Sequence, residues 1–400
     1  MFATLVSLLM AIYLILGPYV TGENLKIPVI ESAMLAIAVP LLFFLPLAFF
    51  FCWLPLQRAE NDSTPRIIDT FKKDKHLHLM AAWSMVFALF TLFCSIGSFH
   101  PIPQQWLFAF WIVGLGLTLD ANRHFVMRVL SYLNPFDSIE LFAKEAKGSI
   151  QKENEQNLCL WIDALSEMAL KGIHKQSASV SNAALDALAK TTTLFLEASK
   201  SIGHQTEDKQ MLKMGIKDKV SFTLFFLYQR FDLIFDAAVK NSLEPTCTKM
   251  ITLMGKIAVA TGVYDMSLAS TPLRFLGKFA KKAQEHRFEE AVLTASCTFT
   301  EVAKALLTDV DITYYEIRDP FLSIINGMEV ITKKEFQRDK NTSIPLLMQP
   351  FQELKALFET GKAKEHQDTP VILLNINRVL GEFEALQLVM ATVPKVEVKE

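Results

Sequence analysis

The chain has 400 residues, 51% of them hydrophobic, with 40 Lys+Arg against 42 Asp+Glu and a formal net charge of −2. A balance this close to neutral excludes a generally basic nucleic-acid-binding surface. The five cysteines (Cys52, Cys94, Cys159, Cys247 and Cys297) are scattered and form no CxxC pair, which argues for a reducing compartment rather than a disulfide framework.

The apolar residues are unevenly spread. Residues 1–136 hold only eight Lys+Arg and seven Asp+Glu, leaving 32 and 35 for the remainder. A hydrocarbon core of ~30 Å needs about 20 apolar residues rising ~1.5 Å each. Four segments reach or approach that length: 2–20, 27–56, 77–97 and 104–124. The first lacks a basic lead and an A-x-A-like cleavage site, so it reads as a helix rather than a signal peptide. Pro28, Pro40, Pro46 and Pro55 predict kinks in the second. The fourth has 14 uninterrupted apolar residues, Trp106–Leu119, in which Gly114 and Gly116 leave room for close helix packing.

Basic residues orient these segments. Arg58, Arg66, Lys72, Lys73 and Lys75 lie between the second and third, and Arg123, Arg128, Lys144 and Lys147 follow the core of the fourth. The intervening loops carry one lysine between them. The positive-inside rule therefore places the long loop and both termini in the cytosol. The expected setting is a multi-pass protein of a bacterial inner (cytoplasmic) membrane, with the sequons at Asn61 and Asn341 on the unglycosylated side.

A polar knot closes the fourth segment: Asp120, Asn122, Arg123 and His124. On a helix Asp120 shares a face with Arg123 and His124. An antiparallel third segment would bring His76 or His78 to the same membrane level. The simpler reading is a junction, in which Arg123 pairs with Asp120 and snorkels to the headgroups while the helix C-terminus favours both cations. The alternative is a proton- or metal-responsive site using His78, Asp120 and His124. Asn134-Pro135 then ends the helix, so residues 1–135 form a four-helix transmembrane domain in this reading.

Residues 136–393 show helical periodicity broken by turn residues, with no convincing period-two run. Leu158, Trp161, Ile162, Leu165, Met168 and Ala169 mark one apolar face; Ala184, Leu185, Leu188, Leu194, Phe195 and Ala198 mark the next. Val220–Tyr228 is very apolar but too short to span a bilayer, and reads as a buried core helix. Helix pairs bracket at 157–201, 222–262, 267–308 and 320–360, followed by a last helix at 370–391 and a frayed tail at 394–400. Pairs such as 222–242 with 244–262, and 267–287 with 288–308, resemble the units of HEAT and armadillo solenoids, which run to about 40–47 residues. That resemblance covers residues 157–391 and implies an α-solenoid-like cytosolic domain; a compact helical bundle remains the alternative. The fold class is all-α throughout.

The chain carries no GxxxxGK, HExxH, GxSxG or GxGxxG signature and no cofactor motif, so the reading leans away from an enzyme. Two basic stripes stand out, Lys209, Lys213 and Lys217, then Arg274, Lys278 and Lys281. Either could lie on an anionic leaflet or be an ordinary solvated helix face. The favoured expectation is a membrane protein whose helical domain recruits a protein partner, with the lipid bilayer and possibly a second copy of the chain as further contacts and no nucleic acid. A transporter, channel or channel-regulating subunit built around Asp120 is the alternative, and a metalloenzyme the third.

Overall fold

The computed structural model describes residues 2–21, 35–37, 39–40, 57, 64, 66–96, 104–200, 219–338, 343–360 and 362–392. Most of the second apolar segment, both sequons, the 209–217 stripe and the 394–400 tail lie outside the described residues. Among the described residues all regular structure is helical. The chain divides into two compact units, Met1–Ser138 and Ile139–Glu400.

The first unit contains α1 (Phe2–Thr21), α2 (Arg66–Lys73), α3 (Lys75–Ile96) and α4 (Gln104–Leu133). One described helix, at Lys75–Ser95, is long and apolar enough to cross a membrane, and Ala3–Ile15 is a shorter apolar stretch. The four expected spans are thus not all seen. Helices α1 and α4 lie close because Gly116 has no side chain: a Cβ there would stand 2.6 Å from Ser7 Cβ and 2.8 Å from the Ala3 carbonyl oxygen. Gly114 similarly admits the Phe87 ring, whose Cε2 would be 2.5 Å from an added Cβ. Helix α4 stops at Asn134, whose side-chain oxygen accepts from Phe136 N at 3.2 Å. Pro135 then opens α5 (Pro135–Gln151), where its missing N–H costs nothing.

The second unit is built from α6 (Glu155–His174), α7 (Ala178–Ser199), α8 (Lys219–Lys240), α9 (Glu244–Tyr264), α10 (Ser270–Glu285), α11 (Glu289–Asp309), α12 (Arg318–Arg338), α13 (Ile344–Thr360) and α14 (Thr369–Thr392). Their apolar residues fall on one stripe: α6 buries Leu158, Ile162, Leu165 and Met168, and α8 buries Val220, Leu224, Leu227 and Tyr228. Every substantial helix–helix contact in this unit joins first or second neighbours in sequence. Helices α6, α8, α10, α12 and α14 form one layer and α7, α9, α11 and α13 the other. A compact bundle would bring together helices distant in the chain, so this unit is a stack of helix pairs.

Several helices end in the same way. Glu153, Gln176, Ser242 and Arg287, at φ of 53°, 54°, 55° and 62°, each follow a helix in the left-handed conformation. Each turn makes the same two bonds. At the third, Leu243 N donates to Ala238 O at 2.9 Å and Ser242 N to Val239 O at 3.0 Å; at the fourth, Phe288 N donates to Ala283 O at 3.0 Å and Arg287 N to Gln284 O at 3.2 Å. This geometry satisfies carbonyls that a helix end leaves open. Between pairs a second device recurs. Asp265 Oδ1 accepts from Ser267 N at 2.9 Å, Asp311 Oδ1 accepts from Thr313 N at 3.2 Å, and each carboxylate opens a 3-10 turn leading to the next helix.

Polar contacts between successive pairs keep a similar spacing from α8 onward, whereas at the first junction Asp163 with Arg230 and Asp186 with Lys249 are 67 and 63 residues apart. Asp232 with Lys278 and Glu244 with Glu290 are 46 residues apart; Glu285 with Lys334 and Lys304 with Glu353 are 49 apart; Ile317 with Asp368 are 51 apart. The brackets of 41–45 residues read from periodicity fall short of this period, because they omit the linkers.

Candidate functional site

Within the first unit the polar knot is taken apart. Asp120 accepts hydrogen bonds from both the backbone N (3.0 Å) and the hydroxyl of Thr4. A carboxylate set against the first turn of α1 meets amides that have no partner within that helix, and the positive end of its dipole. Asn122 Oδ1 accepts from Ser84 Oγ of α3 at 2.9 Å. His78 Nε2 lies 2.7 Å from the Lys72 carbonyl oxygen, whereas Arg123 and His124 are exposed. The expected grouping of His78, Asp120 and His124 therefore does not form: each faces a different environment, and Asp120 pairs with α1 rather than with Arg123. Among the described residues no three His, Cys, Asp or Glu side chains are arranged to hold a metal ion.

A polar centre that the sequence reading missed lies at Asp74. Its Oδ1 accepts from His76 N at 3.0 Å, capping α3. Its Oδ2 accepts from Arg128 Nε at 2.9 Å and from the Tyr132 hydroxyl at 2.8 Å. Burial alone would raise the Asp74 pKa, but the Tyr132 and Arg128 hydrogen bonds hold the carboxyl below its usual range. Burial and the neighbouring carboxylate push the Tyr132 hydroxyl up to about 12. The signal was present in the chain: an Asp directly before an apolar helix is a cap, and Arg128 and Tyr132 share a helix face at i, i+4.

In the repeat unit the chemistry-bearing surface is the layer formed by α6, α8, α10, α12 and α14. Ion pairs join its successive members: Asp163 with Arg230 at 2.7 Å, Asp232 with Lys278 at 2.6 Å, Glu285 with Lys334 at 2.8 Å, and Glu329 with Arg378 at 2.7 Å. Partly exposed pairs of this kind contribute only ~0.2–1 kcal/mol each, so their main effect is on register. At the last junction Arg378 and Lys333 hold the Glu329 carboxyl below its usual range despite its partial burial.

Helices α10 and α12 come together where Gly277 meets Gly327. A Cβ on Gly277 would stand 3.5 Å from Gly327 Cα. Beside this contact a groove of about 450 Å³ opens. Arg274, Lys278 and Lys281 line it from α10 together with Leu273; Asp319, Leu322, Ser323, Asn326 and Val330 line it from α12. The second basic stripe of the sequence thus borders this open groove. Lys278 is tied to Asp232 and lies 5.7 Å over the Phe275 ring, while Arg274 and Lys281 are exposed. The first stripe, Lys209, Lys213 and Lys217, lies outside the described residues.

No protein-family model and no curated protein sequence matches this chain. A solved structure described as a circular tandem repeat protein with novel repeat topology and enhanced subunit contact surfaces aligns over 91% of this chain and 98% of its own, at 12% identity and a TM-score of 0.19. That spatial agreement is too low to carry weight. The helical-repeat character rests on the recurring turns and the cross-pair register.

Proposed function

We propose that the chain is a multi-pass protein of an inner membrane whose cytosolic helical-repeat unit recruits or organises a protein partner. The observation that carries the recruiting role is the layer of α6, α8, α10, α12 and α14, a multi-helix surface with a groove between two of its members. Stacked pairs of this kind offer extended binding faces, and the inference from architecture to partner binding is one of analogy. The membrane assignment draws on the inverted polarity of the first unit. Leu8, Leu9 and Tyr13 of α1, Val86 and Phe93 of α3, and Phe110 and Leu119 of α4 are exposed, while Ser84, Thr91, Thr118 and Asp120 are buried. Inside, Trp111 Nε1 donates to Thr91 Oγ1 at 3.0 Å. Apolar groups outward and satisfied polar groups inward suit a lipid solvent.

Photocrosslinking in cells tests the partner role, with probes at the exposed positions Leu160, Phe225, Leu233 and Leu374. A discrete adduct at two or more positions is expected; no adduct at any would refute it. Alkaline carbonate extraction tests the anchoring: the chain should stay in the membrane pellet, and release to the supernatant overturns that half. Cys297, which is exposed, should react with a membrane-impermeant maleimide only after the cells are permeabilised.

A second reading, a transport or channel-regulating subunit, draws on the buried Asp120 carboxylate inside the first unit. A solute flux in proteoliposomes that Asp120→Asn abolishes would promote it, and no flux with correctly inserted protein would remove it.

A further inference from the structure

The groove between α10 and α12 has a composition that selects its occupant. Its α10 wall carries Arg274, Lys278 and Lys281, spaced four and then three residues apart along one helical face. Against these stand Asp319 on the opposite wall, Asp232, which holds Lys278 from outside the groove at 2.6 Å, and Glu285, which lies one turn from Lys281 and is bound by Lys334. Two cationic side chains, Arg274 and Lys281, are left exposed along the rim. The remaining lining is mixed: Leu322 and Val330 are apolar, and Asn326 supplies both a donor and an acceptor. Gly277 and Gly327 bring the two helices together beside it.

We infer that this groove binds a short acidic segment of a protein partner, with carboxylates against Arg274 and Lys281 and one or two apolar side chains against Leu322 and Val330. The inference rests on the recruiting role proposed above and names the chemistry of the partner. Two features favour a polypeptide over an anionic bilayer. The basic residues border an open groove of about 450 Å³ rather than a protruding face. The exposed amide of Asn326 on the α12 wall offers a donor and an acceptor to a peptide backbone, while the Ser323 hydroxyl is already engaged with the Asp319 carbonyl at 2.8 Å. The charge complementarity supplies steering and selectivity, so binding weakens as salt rises.

The test is a random-peptide display library panned against the full-length chain in detergent, with enriched peptides then measured by fluorescence anisotropy. Enriched sequences should combine Asp or Glu with an apolar residue. Their affinity should fall at least about tenfold in Arg274→Glu/Lys281→Glu, since each reversal replaces an attraction by a repulsion. Lys190→Glu, an exposed residue of α7, should leave affinity unchanged, and the same thermal midpoint in all variants shows that folding is intact. Val330→Arg, which places a bulky cation inside the groove without reversing its charge, should also block the peptides.

Enrichment without acidic bias overturns the inference, as does acidic peptide binding that neither groove variant weakens; in both cases the recruiting role survives at another surface. If no peptide enriches the inference falls, and the recruiting role falls with it only where the photocrosslinks are also absent. If the full-length chain instead binds phosphatidylserine in mixed micelles, and the charge reversal abolishes that binding while no peptide binds, the stripe is a bilayer contact and the inference is wrong.

Discussion

Replacing Gly277 and Gly327 by alanine should move stability in opposite directions, although both residues lie inside helices and on the same contact. A helix-interior Gly→Ala change gains ~1 kcal/mol from backbone entropy and propensity. At Gly277 the new methyl group would find Gly327 Cα at 3.5 Å and Phe299 Cζ at 3.9 Å, which are ordinary van der Waals distances, so most of that gain should survive. At Gly327 the methyl group would overlap Phe299 Cζ and stand 3.0 Å from both Cε carbons. Phe299 is fully buried. Overpacking of this sort costs ~1–3 kcal/mol, which outweighs the propensity gain and leaves a net loss of roughly 1 kcal/mol. For a unit of this size 1 kcal/mol corresponds to ~2–4 °C. Thermal unfolding of the full chain in detergent, followed by circular dichroism, should therefore show Gly277→Ala raised and Gly327→Ala lowered. Adding Phe299→Leu to Gly327→Ala should cost less than the two single losses combined, a coupling of ~1 kcal/mol. Two midpoints shifted in the same direction, or an additive double mutant, would refute the packing argument.

Two further outcomes follow from other sites. Ser242→Gly and Arg287→Gly, at positions with φ of 55° and 62°, should each stabilise the repeat unit by ~0.5–1 kcal/mol in urea titrations, because glycine has no Cβ to strain there. Asp74→Asn should weaken the first unit by ~1–3 kcal/mol, since it removes the charge that caps α3 and binds Arg128 and Tyr132. The pH dependence has two limbs. Because the folded Asp74 carboxyl lies below its usual range, its contribution is present above the unfolded pKa of ~3.9 and is lost as pH falls through the folded value. Tyr132, raised to about 12, favours its protonated form when folded. Its contribution holds below the unfolded pKa of ~10 and is lost as pH rises from there towards 12. Asp74→Asn should flatten the acid limb of a stability–pH profile recorded by circular dichroism.

Several elements were legible from the residues because their causes are local. Asn134-Pro135 ends one helix and starts another through proline's fixed geometry. The short run Val220–Tyr228 is a core helix, as its length implied, burying Val220, Leu224, Leu227 and Tyr228 while Phe225 faces out. Gly114 and Gly116 do admit close neighbours. Other features were hidden because their signals are weak or distant. The breaks inside two pairs, at Ser242 and Arg287, fall where periodicity places them, but the linkers between pairs carry no periodic signal, so the repeat length reads too short. Asp120 was assigned the partners that helix spacing offers, yet the free amides of the α1 N-terminus compete for the same carboxylate and come from 116 residues away. The Arg274, Lys278 and Lys281 stripe could be read, but not that it borders a groove, since the opposite wall comes from α12.

Apolar periodicity, turn chemistry and segment length were enough to determine an all-helical chain, an apolar N-terminal part and helix pairs following it, because each of these depends on neighbours within a few residues. Which helices stack, at what period, and which side chains meet across them was decided only by the tertiary structure. Those outcomes depend on how closely two surfaces can approach, and here that turns on missing side chains at Gly116, Gly277 and Gly327 facing Ser7, one another and Phe299. A residue's spacing along its own helix says where it points, and only the packed neighbour says what it finds there.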